Sequence, residues 1–139
     1  MRPFHRIFSL WISLLFLFCQ GLWAQAVFPS SEGERARYAV YIELPRSYIS
    51  GVCILLHDGT DVKGSLFNEF GISAMDFAYR PQKDKVKLLS VQKMLDKWYI
   101  RKRLKRDLRE LIHVLQQGGT RYVDEKYKIT FQFTPLKEE

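Results

Sequence analysis

From Tyr38 to Leu44 the apolar residues Tyr38, Val40, Ile42 and Leu44 alternate with others, the two-residue period that turns one side of a strand toward a core. Pro45 ends the run. A second run, Tyr48 to His57, leads into Asp58-Gly59-Thr60-Asp61, and Val62 to Phe70 resumes in extended form. Asp-Gly between two such runs predicts a hairpin, because glycine adopts the positive φ of a tight turn without steric cost. Gly71 separates this strand from Ile72 to Tyr79, in which Met75, Phe77 and Tyr79 share a face, and Pro81-Gln82-Lys83-Asp84 precedes Lys85 to Val91. The connections are too short for parallel crossovers, so these strands should form an antiparallel meander.

From Gln92 the period changes. Leu95 and Trp98 mark one turn, and Ile100, Leu104, Leu108, Leu111, Ile112 and Leu115 recur at three- and four-residue steps, the signature of one apolar stripe on a helix. Gly118-Gly119 supplies its stop. Tyr127, Ile129, Phe131 and Phe133 then alternate with Lys126, Lys128, Thr130 and Gln132, predicting a last strand. The fold class expected is α+β: a curved antiparallel sheet of about six strands with one main amphipathic helix packed on it.

The N-terminal stretch reads differently. Met1 to Arg6 is short and basic, Ile7 to Phe18 is almost unbroken apolar sequence, and Ala24-Gln25-Ala26 follows. The apolar core is too short to cross a bilayer comfortably but suits a signal peptide, with cleavage expected after the small-x-small pattern at Ala26. Cys19 offers the alternative of a lipidated first residue, against which stands bulky Phe18 before it. Residues 1–26 are therefore expected to be a signal peptide directing export to the periplasm or cell envelope, 27–35 a flexible tether, since Pro29, Ser30, Ser31 and Gly33 interrupt any period, and 36–139 a single domain.

Composition narrows the function. The 139 residues are 47% hydrophobic, 14% aromatic and 27% charged, which fits one folded domain and excludes disorder throughout. The net charge of +7 favours acidic partners, and export argues against nucleic acid among them. Two cysteines are too few for a disulfide framework, and no Cys/His spacing suggests zinc. Cys53, inside Val52-Cys53-Ile54-Leu55-Leu56, reads as a buried, inert thiol.

The densest charge is Arg101, Lys102, Arg103, Lys105, Arg106 and Arg109 on the helix. Arg101, Lys102, Lys105, Arg106 and Arg109 could together hold an anionic membrane surface or a polyanion, several cations being needed because each exposed contact is weak in salt. The plainer reading is a solvated helix face. His57, Asp58 and Asp61 fall at a hairpin turn whose local chemistry accounts for them, and no nucleophile sits in a recognisable motif. There is no phosphate-binding glycine loop or HExxH pair, so neither an enzyme nor a cofactor or metal site is expected. The aromatic residues supply more bulky apolar surface than a small sheet needs. Met75, Phe77, Tyr79, Leu89, Phe131 and Phe133 are thus candidates to line an apolar cleft between curved sheet and helix, as ligand-binding domains do; a core packed with rings is the plainer reading.

The meander from Gly51 to Val91, including Gly64-Ser65-Leu66-Phe67-Asn68-Glu69-Phe70-Gly71-Ile72, together with the helix and the return strand, resembles the periplasmic lipoprotein-carrier superfamily (LolA/LolB-like). In that superfamily a curved antiparallel sheet covered by helices encloses an apolar cavity. The resemblance is one of pattern and transfers no functional residue; this chain is shorter than the family's usual size, so its half-barrel should be incomplete and its cavity shallow or absent. It implies an exported, non-enzymatic binder of lipid or of a lipid-modified segment. The alternative is a structural or assembly component of the envelope with a solid core and no small ligand.

Overall fold

The computed structural model describes residues 28–137; the expected leader, its Ala26 cleavage point and Cys19 lie outside them. Seven strands and one long helix form in the order β1 (Arg35–Glu43), β2 (Tyr48–His57), β3 (Val62–Asn68), β4 (Ser73–Arg80), β5 (Lys85–Val91), a 3-10 turn (Lys93–Leu95), α1 (Trp98–Gln116), β6 (Arg121–Asp124) and β7 (Ile129–Pro135). The sheet is antiparallel, in the order β5-β4-β3-β2-β1-β7-β6, and curls into a half-barrel. Its meander of strands β1 to β5 is antiparallel, as the short connections predict. After the helix the chain returns to the far side of β1, where β7 pairs.

Register carries the alternation across the sheet. Tyr38 lies opposite Cys53, Cys53 opposite Leu66, and Leu66 opposite Met75, so one row of inward side chains crosses four strands. Ile42 and Val40 meet Phe131 and Phe133 in the same way on the other flank. Gly64 sits opposite Phe77, whose ring lies across it: a Cβ there would stand 2.3 Å from the ring, which is why a strand-weakening residue occupies the middle of β3.

Helix α1 packs against β5 and β6, the two edges of the sheet, and so spans the open side of the half-barrel with Leu108, Leu111, Ile112 and Leu115 buried. It ends as Gly-Gly predicts. Gly118 takes φ +85°, its N–H donates to Leu115 and that of Gly119 to Val114, the paired bonds of a Schellman stop.

Two expectations need correction. The structure has a seventh strand, β6, absent from the sequence reading because its four residues, Arg-Tyr-Val-Asp, show no apolar period. The segment expected as a tether is docked from Phe28 onward. Phe28 is buried and meets Tyr79 edge-on at 6.3 Å between ring centres, and Gly33 donates its N–H to the His57 carbonyl at 2.9 Å.

Candidate functional site

The six residues proposed to line a cleft separate into two groups. Met75, Phe77, Tyr79, Phe131 and Phe133 are at most 3% exposed and belong to one core cluster with the helix stripe; the space between sheet and helix is closed to solvent at these positions. The Tyr79 hydroxyl donates to Asp84 Oδ1 at 2.7 Å, and His113 Nε2 lies 2.6 Å from the same oxygen. Burial first, then Asp84, pushes the Tyr79 phenol up to about 12, so it is a fixed donor to the β4–β5 turn. Leu89 is 51% exposed and faces outward, with Leu88 buried in its place. The cause is a register shift in the β4–β5 ladder between Asp76 and Phe77, which sets Leu88 opposite Phe77.

An opening exists elsewhere. At one end of the half-barrel, the β1–β2 turn, the start of β2, the β3–β4 turn and the 3-10 turn surround a cavity of about 390 Å³. Leu44, Ile49, Ala74 and Leu95 supply apolar lining, and Ser50, Asn68 and Gln92 supply polar groups. Tyr48, Phe70 and Met94, also in the lining, remain 59%, 79% and 70% exposed, so the rim is apolar and wet.

Local chemistry fixes that rim. The Asn68 side-chain oxygen accepts the N–H groups of Phe70 at 2.9 Å and Ile72 at 3.0 Å, an Asx turn, and Gly71 supplies φ +78°. The turn therefore holds Phe70 and Ile72 outward. Tyr48 stacks on Tyr41 with ring centres 5.5 Å apart, which limits its freedom. None of these residues was chosen from the sequence as a site residue; an aromatic inside an Asn-Glu-Phe-Gly turn, where burial is not expected, was the available signal.

The basic residues also divide. Arg101 binds Asp96 at 2.9 Å and reaches the Leu88 carbonyl at 3.4 Å. Arg109 lies 3.6 Å from Glu110 with its Nε buried, and Arg103 turns inward to Asp124. Lys102, Lys105 and Arg106 stay exposed, with no carboxylate in ion-pair range among the described residues. They share the outer face of α1 with Trp98 and Tyr99, which are 77% and 53% exposed and meet edge-on at 5.8 Å.

Cys53 is fully buried, and burial pushes its thiol up to about 12, leaving no thiolate for chemistry at neutral pH. Among the described residues no group of three or more His, Cys, Asp or Glu is placed to hold a metal ion, and no helix is long and apolar enough to cross a membrane. Comparison with known protein families, with curated proteins and with solved structures gives no match.

Proposed function

We propose that this chain is an exported, non-enzymatic binding module that takes an acyl chain, of a lipid or a lipid-modified segment, into the cavity at the end of the half-barrel. The observation that carries this reading is the rim: three large apolar side chains, Tyr48, Phe70 and Met94, held in water around a cavity of about 390 Å³. Exposed apolar groups gathered at a concave site mark binding surfaces, and the volume falls in the range of small-molecule sites, about 300 to 1,000 Å³. Lys102, Lys105 and Arg106, beside Trp98 and Tyr99, fit the headgroup level of an anionic leaflet, where cations and amphipathic rings are both favoured. The likeness to the periplasmic lipoprotein carriers supports the same reading.

Native mass spectrometry of the protein released from its own membrane fraction tests the cavity. The expected result is a mass carrying lipid for the natural chain and a bare mass for Ser47→Trp, which fills the opening from an exposed turn position. A bare mass for the natural chain overturns the proposal in favour of the envelope scaffold, which the burial of Met75, Phe77, Tyr79, Phe131 and Phe133 favours.

The helix face has its own test. Changing Lys102, Lys105 and Arg106 together to Gln should weaken sedimentation with phosphatidylserine-containing vesicles on the order of a hundredfold, at about 1 kcal/mol per cation. Sedimentation equal to that of the natural chain would remove the membrane-surface role.

A further inference from the structure

Behind the basic face, α1 and β6 are joined by three ionisable groups whose charges do not match. Asp124, on β6, receives both arms of the Arg103 guanidinium, Nε at 2.5 Å and Nη2 at 2.7 Å, and its Oδ1 also accepts the Tyr127 N–H at 3.2 Å. Asp107, one helical turn beyond Arg103, is 0% exposed, and neither of its oxygens has a hydrogen-bond donor. Arg103 Nε stands 3.6 Å from it, too far for a hydrogen bond. One cation thus faces two buried carboxyl groups, and an ionised carboxylate without donors is among the costliest groups to bury.

The mismatch disappears if one carboxyl keeps its proton, as two acids sharing a site do. Asp107 is the one placed to keep it: Arg103 already satisfies Asp124, whereas an Asp107 O–H can donate to Asp124. We propose that Asp107 and Asp124 form a proton-bridged pair beneath Arg103, a latch that fastens the helix spanning the half-barrel to the edge strand β6 and slackens when the proton leaves.

The surrounding groups agree with this direction. Burial, then the hydrogen bond and the charge of Asp124, push the Asp107 carboxyl up to about 7, against the opposing pull of Arg103 and Arg106. Arg103 holds Asp124 far below the usual carboxylate range. The other groups around the pair are Tyr122 on β6, on which Glu110 of α1 also acts, and Tyr127, whose ring stacks under Arg103 at 4.3 Å with Lys126 on it at 5.6 Å. Because the folded chain holds the Asp107 proton more tightly than the unfolded chain does, the stability from this group is complete below about pH 4 and is lost as pH rises through about 7.

The test needs no lipid, so its outcome is separate from that of the acyl-binding reading. Thermal midpoints of the natural chain and of Asp107→Asn are measured from pH 5 to pH 8. Asparagine can donate to Asp124 at every pH, so the natural chain should lose ground to the variant across this window, and the protection of amides in α1 and β6, taken relative to their intrinsic exchange rates at each pH, should fall in the natural chain alone. His113, on the same helix and facing Asp84 and Glu110, is common to both and cancels in the difference. Parallel midpoint curves would overturn the latch. Should the variant not fold, the carboxyl carbon of Asp107 in the natural chain decides: titration near pH 7 supports the proposal, and titration in the ordinary aspartate range overturns it.

Discussion

Replacing Phe131 by alanine should lower the unfolding free energy by about 3 to 5 kcal/mol in urea titrations, the cost of a large cavity in a close-packed interior. Phe131 is fully buried, lies opposite Ile42 on β1 and Tyr122 on β6, and tilts against the Tyr122 ring at 6.1 Å. It therefore joins the centre of the sheet to its short edge strand. Phe77→Ala should cost a similar amount, with the added feature that Gly64 opposite would lose the ring that covers it. Leu89→Ala, by contrast, should stay within about 0.5 kcal/mol because its side chain is on the solvent face. The contrast separates a packed core from a ligand cleft. A cleft-lining ring can be removed cheaply and takes ligand affinity with it, whereas a core ring takes the fold; a small loss at Phe131 would return these residues to the ligand.

What could be read in the chain beforehand follows from which forces leave a periodic trace. Strands β1 and β4 and the helix each repeat an apolar residue at their own period, so burial against one common interior wrote both their type and their inward faces into the sequence, while β2, β3 and β5 showed as extended runs between turn residues. β6 escaped because its place depends on pairing with β7 and on the buried side chain of Asp124, and neither produces a run of apolar residues. Leu88 and Leu89 are equally apolar neighbours; the choice between them was made by a bulge in the partner pairing, a tertiary event. Phe28 lies in a stretch rich in turn formers, and its place to bury is made by core residues distant in the sequence, among them the Tyr79 ring some fifty residues away. The cavity rim was hidden for the opposite reason: Phe70 and Met94 contribute nothing to the core, so a search for shared apolar faces passes over them. In the basic cluster the charge was visible but its direction was not, since Arg103 differs from Lys102 and Lys105 by pointing toward carboxylates contributed partly by another strand.

Arg103→Met should be among the most damaging substitutions on the helix, lowering the thermal midpoint by about 10 °C or more, because removing one partner from a buried ionic cluster strands the others. The loss falls on Asp124, which is 2% exposed and would keep only the Tyr127 N–H and the shared Asp107 proton as donors. Its pH dependence follows from the same group. Arg103 holds the folded Asp124 below its unfolded value, so that contribution is present above about pH 4 and is lost as pH falls toward the folded value. The deficit of the variant should therefore be fullest at neutral pH, narrow on acidification as the stranded carboxylate, which burial now pushes up, takes up a proton, and narrow further below about pH 4 as the natural chain loses its own contribution. Arg103→Lys should recover only part of the loss, since an ammonium keeps the charge but not the two parallel bonds of the guanidinium fork. Pairing Arg103→Met with Asp124→Leu should recover more, because it removes the buried charge along with its partner. Midpoints for the three variants at pH 3.5 and pH 7 check this, and a deficit of equal size at both values would mean that Arg103 acts through packing on the Tyr127 ring, 4.3 Å away, and not through charge.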